Sequence, residues 1–401
     1  MELTSVHIDR PEAGRVRLCG EIVYDDRRSA RDQYWFEFPE PYADSISESG
    51  NPWLAALLPL AARLNEPLRL CRPVDGVLVA NASRLTEIWR QWYPELGVVA
   101  IEADEQKNDA APVPSKTAAL FSGGVDSFFT VIRNAETTDR SRYPSIDWLI
   151  SVWGFDVRLA DDYARLRSRR ALAARELGKE FIDVKTNVRE TRSRQASWGH
   201  IAHGCFLASV GLALERSIGT LYIAATHSTS SVVPWGSHPE TDPLLSTRRM
   251  RVIHDGADAG RSAKTEYIAR SPVAMRSLHV CFRSRSMENC CRCRKCLLTM
   301  MTLELCGALA TCEAFPERRL DPRRIERIFV DSPINEVLFR DLESRARRDG
   351  RTDLADALGR CLRRSRRTRR VMGALKWMGT RRAFWRIARA VRTRMLAGAI
   401  R

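Results

Sequence analysis

The sequence predicts an α/β protein built on a parallel sheet with helices on both faces. A small N-terminal α/β region and a C-terminal region of cysteines and helices flank it. Three observations predict this. Apolar runs of strand length alternate with helical patterns between residues 118 and 224, as in successive βαβ units. The first run ends in a glycine turn, F-S-G-G-V-D-S from Phe121 to Ser127, which opens into Phe128, Phe129, Val131 and Ile132. Further on, four cysteines fall between Cys281 and Cys296 at short intervals.

Residues 1–108 read as a separate small α/β region. Val16 to Tyr24 alternates like a strand, as does Tyr34 to Phe38. Pro52 to Leu64 has a helical pattern, Val77 to Ala80 is a short apolar run, Leu85 to Trp92 is helical and Val98 to Ile101 reads as a strand. No catalytic constellation lies here, so the expected roles are a substrate lid, the surface of a homodimer or a structural cap. Glu105 to Lys116, rich in Asp, Ala and Pro, reads as a linker.

The expected core domain spans residues 115–312. Its strand candidates are Ala118 to Phe121, Trp148 to Val152, Glu180 to Val184 and Leu221 to Ala224. Helical patterns at Tyr163 to Leu177 and His203 to Ile218 separate them. Ligands of such sheets bind at the carboxyl ends of the strands. The glycine turn, Trp153-Gly154-Phe155-Asp156 and Thr226-His227-Ser228 all follow strands in this way. His254-Asp255-Gly256 reads as a further polar loop. Residues 313–360 form a helical, charged region, and 361–401 a basic tail.

Composition sets limits. A chain of 401 residues with 44% hydrophobic content suits two or three globular domains. No run of 18 apolar residues suggests a membrane span, and the N-terminus has no signal-peptide character. A cytoplasmic setting is therefore expected, where 11 cysteines are read as thiols and metal ligands. The net charge is +16, yet residues 361–401 alone hold 13 Arg, one Lys and no acid. Within that tail Phe384, Ala388, Val391 and Met395 share one helical face. Such a helix suits RNA phosphates, an anionic lipid surface or an acidic protein; packing on its own domain with a solvated arginine face is the plainer alternative.

The glycine turn has the parts of an anion site. Gly123 and Gly124 let the backbone turn and approach a ligand. Ser122 and Ser127 add hydroxyls, and the helix opening at Val125 adds free N–H groups and a positive dipole end. Asp126 suits a Mg²⁺ accompanying a phosphate chain. An ordinary Gly-Gly loop with a helix cap is the plainer alternative. Cys281, Cys290, Cys293 and Cys296, spaced C-x8-C-x2-C-x2-C, suit a tetrahedral Zn²⁺ with no open position. Cys291 is a fifth thiol within reach. Unrelated thiols, a sulfur relay and an iron–sulfur cluster use the same residue type, and spacing does not separate them.

The glycine turn resembles the pyrophosphate loop of the N-type ATP pyrophosphatases (the PP-loop superfamily). That superfamily includes asparagine and GMP synthetases, tRNA thiolases and lysidine synthetases, and 7-cyano-7-deazaguanine synthases. No G-K-[ST] follows the glycines, so the turn is not a Walker A loop. The cysteine spacing is similar to the zinc site of the 7-cyano-7-deazaguanine synthases. Between the two motifs, His203 to Glu215 looks like their central helix. His238-Pro239-Glu240-Thr241-Asp242-Pro243 sits where they carry a substrate segment, and Lys264-Thr265-Glu266 resembles their late lysine segment.

The resemblance covers roughly residues 115 to 310 and implies a Rossmann-like fold of the adenine nucleotide alpha hydrolase type. It implies that ATP is cleaved between its α and β phosphates, with Ser122, Gly123, Gly124, Val125, Asp126 and Ser127 at the phosphates and Phe155 beside the adenine. Asp126 and Lys264 would be catalytic, the latter through the phosphates. His203, His227, His238 and Asp242 would meet the substrate. The departures are informative. His203-Gly204 replaces the family's arginine-asparagine pair, and the substrate segment lacks its cysteine and arginine. The expected function is an ATP-dependent, AMP-forming ligase that adenylates a small-molecule carboxylate and passes it to ammonia or an amine, making an amide- or nitrile-type C–N bond. The expected cofactors are ATP, Mg²⁺ and Zn²⁺. A tRNA-modifying adenylase and a nucleotide-binding regulatory module without turnover are the alternatives.

Overall fold

The computed structural model describes residues 1–25, 31–106, 113–155, 160–282, 288–331 and 333–379. Asp156, half of the expected linker (residues 107–112), and the tail face of Phe384, Ala388, Val391 and Met395 lie outside the described residues. By its contacts the chain divides into two compact units, Met1–Gly260 and Arg261–Arg401.

In the first unit β1 (Glu2–Asp9), β2 (Arg15–Val23) and β3 (Asp32–Pro39) form an antiparallel meander. Val16, Leu18 and Ile22 face inward from β2, and Tyr34, Phe36 and Phe38 from β3, each at the two-residue period of a strand. Next comes α1 (Asn51–Leu64), buried from Asn51 through Ala62. A helix that is apolar all round belongs inside a core, and this one packs on the central helix α5 described below. Pro52 opens it and Asn65, at φ 56°, ends it with a left-handed cap. β4 (Leu68–Val74), α2 (Gly76–Trp92) and β5 (Ile101–Glu105) follow. The apolar run Val77 to Ala80 is the first turn of α2, continuous with Leu85 to Trp92. Asp75 caps it by accepting from Val77 N at 2.9 Å.

The α/β half comprises β6 (Lys116–Leu120), α3 (Val125–Glu136), β7 (Trp148–Trp153), α4 (Ala160–Glu176), β8 (Glu180–Thr186), α5 (His203–Ala213), β9 (Ile218–Ala224) and β10 (Arg251–Asp255). Its five strands pair parallel in the order β10-β9-β6-β7-β8. β6 and β9 are buried along nearly their whole length, as a sheet covered on both faces requires. His254 and Asp255 end β10 instead of lying in a loop.

The N-terminal strands are not set apart. One ten-stranded sheet runs β10-β9-β6-β7-β8-β3-β2-β1-β4-β5. Its two halves join where Phe36 pairs with Thr186 and Glu37 with Lys185, antiparallel. Charges reinforce this seam. Glu37 is 2% exposed and is gripped by Lys185 at 2.9 Å, Arg17 at 2.7 Å and Arg15 at 3.0 Å. Burial alone would push its carboxyl up, but hydrogen bonds from Lys185, Arg17 and Arg15 hold it below the usual range.

The second unit carries α6 (Arg261–Ala269), α7 (Pro272–Ser277), α8 (Arg294–Leu305), α9 (Pro322–Glu326), α10 (Pro333–Arg348) and α11 (Thr352–Gly379). The cysteine cluster spans the segment between α7 and α8 and the first turn of α8. Among the described residues no helix is long and apolar enough to cross a membrane.

Candidate nucleotide site and cysteine centre

The chain steps from β6 to β7 to β8 in one direction, then crosses back to place β9 and β10 on the other side of β6. The connections leaving the carboxyl ends of β6 and β9 therefore diverge. Open α/β sheets bind ligands in the crevice at such a reversal. The glycine turn leaves β6 and the Ala225 to Ser228 segment leaves β9, one on each side of it.

Phe121 N donates to Ile150 O at 2.7 Å, which fixes the start of the turn to β7. Gly123 has φ +71°, a left-handed conformation that L side chains rarely adopt. Gly124 is extended and is the N-cap of α3, with no side chain capping the helix. The first N–H groups of α3 are thus left without a side-chain cap, with the positive end of the dipole behind them. Ser122 is exposed, whereas Ser127 is 3% exposed and braces the turn. Its hydroxyl donates to Gly124 O at 3.2 Å and lies 3.3 Å from Ser122 Oγ, which accepts from Gly124 N at 3.3 Å. Asp126 is half-buried in the first turn of α3, and Val125 is buried beneath it.

A residue that the sequence reading missed lies against this turn. Arg170 of α4 is 8% exposed, and a Cβ at Gly123 would stand 3.5 Å from its Cγ and 3.7 Å from its Nε. Its Nη1 donates to Ser151 Oγ of β7 at 2.8 Å. A guanidinium is thereby held under the glycine turn in a low-dielectric setting. Locally the sequence offers only an arginine in a charged run, R-S-R-R.

Phe155 is 4% exposed and packs on Trp198 and Phe206 with ring centroids 5.3 Å and 6.2 Å away. The structure thus places it in an aromatic cluster of the core. His203 opens α5 directly after a π-type turn, Trp198–Ala202, with its ring 4.8 Å from Trp198. His227 lies edge-on to Trp235 at 5.8 Å. His238 is 8% exposed, edge-on to Trp92 at 4.7 Å, and its Nδ1 accepts from Glu240 N at 3.1 Å. Burial pushes the His238 pKa down, which favours the neutral ring that this bond requires.

Asp242 is fully buried, so it does not present its carboxylate to solvent. It accepts from Ser237 Oγ at 2.7 Å and His238 N at 3.2 Å, and its Oδ2 lies 2.7 Å from His254 Nδ1. Gly204 makes room for it: a Cβ there would collide with Asp242 Oδ1 and stand 2.8 Å from Gly236 O. Glycine at position 204 therefore has a packing reason. The same carboxylate adds to burial in raising the Cys205 thiol well above its ordinary pKa.

In the second unit Lys264 lies in the first half of α6 and is 1% exposed. The thiols of Cys281, Cys290, Cys293 and Cys296 lie within 4.8 Å of one another. Cys290 Sγ and Cys296 Sγ are 3.9 Å apart, Cys281 Sγ and Cys293 Sγ 4.0 Å. Four Zn–S bonds of about 2.3 Å in a tetrahedron need sulfurs roughly 3.8 Å apart, so the cluster fits that ion. Two features favour thiolates. Cys293 N donates to Cys290 Sγ at 3.3 Å, and Cys293 and Cys296 sit at the N-cap and first turn of α8. Asn289, 1% exposed, ties the loop together. It accepts from Val280 N and Cys281 N and donates to Leu278 O and Ala314 O, all within 3.2 Å. Cys291 stands outside the four: its backbone is left-handed, φ 52°, and its thiol donates to Asn289 O at 3.4 Å.

No family model matches this chain, and no curated protein or solved structure matches it either.

Proposed function

We propose that the chain is an ATP-dependent, AMP-forming ligase that activates a small-molecule carboxylate for attack by ammonia or an amine. One observation carries this reading: the S-G-G-V-D-S turn leaves the carboxyl end of β6 where the strand order reverses, and opens α3 without a side-chain cap. In this reading the α3 N–H groups and the Ser122 hydroxyl bind the β and γ phosphates. Arg170 adds fixed positive charge beneath them, and Asp126 holds the accompanying Mg²⁺. The ion, when bound, offsets the charge that develops on the leaving pyrophosphate. Adenylation is an attack by one substrate on another, so holding both in line supplies much of the rate. The Lys264 assignment rests on the resemblance alone. The four thiolates, with no open position, make Zn²⁺ structural.

The test is product analysis. The protein is incubated with Mg-ATP, with and without a small-molecule extract of its source cells. AMP and pyrophosphate released only with extract support the reading. ADP and phosphate, or intact ATP throughout, count against it; tightly retained, uncleaved ATP would support a regulatory module. A tRNA-modifying adenylase is the second reading, favoured by the concentration of arginine in the second unit. It predicts AMP release with RNA in place of extract.

A further inference from the structure

The arginines of α11 point two ways. Seven arginines and no Lys, Asp or Glu lie between residues 360 and 370. One set is engaged internally. Arg364 donates to Ile328 O at 2.9 Å, Arg366 Nε to Glu336 at 2.7 Å, and Arg369 pairs with Glu336 and donates to Val330 O. The other set is not. Arg363, Arg367 and Arg370 are exposed and make no hydrogen bond or ion pair among the described residues. They stand at i, i+4 and i+7, one helical face, over about 10 Å of axis.

Three like charges within about one Debye length repel each other and weaken their own helix. The charge balance of the sequence from residue 261 onward is also strongly positive. Residues 261–401 hold 34 Lys and Arg against 14 Asp and Glu, whereas residues 1–260 hold 31 against 35. The basic field therefore belongs to the second unit. A linear polyanion would relieve the repulsion along the stripe. The use of Arg throughout favours phosphate, whose oxygens match the guanidinium fork. A membrane surface would call for an apolar face beside the charge; among residues 352–373, whose side chains are described, the exposed large apolar side chain is Val371.

We propose that Arg363, Arg367 and Arg370 form a docking stripe for the phosphodiester backbone of a nucleic acid, without base reading. The stripe does not depend on the nucleotide site, so either proposal can fail alone.

The experiment uses the full chain and a fluorescein-labelled 20-nucleotide oligouridylate, with anisotropy measured over a salt series. Each single-strand phosphate contact contributes about 0.7 to the log–log salt slope. The variant R363Q/R367Q/R370Q should therefore lower the slope by about 2 and weaken low-salt binding roughly tenfold or more. The control R84Q/R90Q, on exposed arginines of α2, should change neither. Because all five side chains are exposed, thermal midpoints should stay at the wild-type value. Unchanged affinity and slope in the triple variant would overturn the proposal. So would a wild-type chain that ignores the oligonucleotide while sedimenting with phosphatidylserine vesicles or binding polyglutamate.

Discussion

His254 Nδ1 lies 2.7 Å from Asp242 Oδ2, with the two side chains 3% and 1% exposed. The pair joins the end of β10 to the segment that the resemblance assigns to substrate. Asp242 therefore holds three groups in place: the His254 ring, the Ser237 hydroxyl and the His238 backbone.

Asp242→Asn should consequently destabilise the fold. It exchanges a buried carboxylate, acceptor to three groups, for an amide that accepts through one oxygen, at a cost of about 2–3 kcal/mol. Urea denaturation of the two proteins measures it. Unchanged stability with weakened substrate binding would instead make Asp242 a direct contact.

Arg170→Met should weaken nucleotide binding in proportion to phosphate charge. At protein-surface dielectric a fixed cation near a phosphate is worth on the order of 1–2 kcal/mol. Calorimetry should show the loss growing from AMP to ADP to ATP, adenosine unaffected, and Arg170→Lys recovering part of it. Equal losses for all four ligands would indicate that Arg170 only supports the turn through Ser151.

The purified protein should carry one zinc per chain, as elemental analysis measures. Cys293→Ser should lose the metal and loosen the second unit, because metal binding contributes directly to the folding free energy of such sites. Cys291→Ser should keep it, since that thiol is directed to Asn289 O.

Glu215 of the first unit predicts a pH dependence. It accepts from Ser47, Ser49 and both ways from Asn51, at 2.6–2.9 Å. Burial nevertheless pushes its pKa up from the ordinary 4.5, against the pull of those donors. The native state then holds the proton more tightly than the unfolded chain. Its contribution to stability is complete below pH 4.5 and is lost as pH rises through the raised native value. The change is about 1.4 kcal/mol for each pH unit over which only the native state stays protonated. Glu215→Gln should lack this decline when stabilities are compared from pH 4 to 8.

The glycine turn, the four cysteines and the strands β6 to β9 were legible because each is written locally: a turn chemistry, a ligand spacing, an apolar run. What the sequence hid depends on partners far along the chain. β1 and β4 are half-polar and owe their state to the strands beside them. The union of the two halves of the sheet rests on Phe36 meeting Thr186 and Glu37 meeting Lys185, a pairing no local pattern announces. The resemblance makes Asp242 a substrate contact, and its burial depends on Gly204, which leaves room for its carboxylate beside helix α5. The burial of Arg170 is likewise a property of the packed turn, not of its own helix.

The role of the glycine turn in ATP cleavage is tested by nucleotide product analysis with α-labelled Mg-ATP on wild type and Asp126→Asn side by side, each with cell extract. AMP is expected from the wild type and none from the variant, with matching circular dichroism. AMP release by Asp126→Asn at the wild-type rate would contradict the assignment of Asp126 to the metal and, with it, the proposed use of the glycine turn.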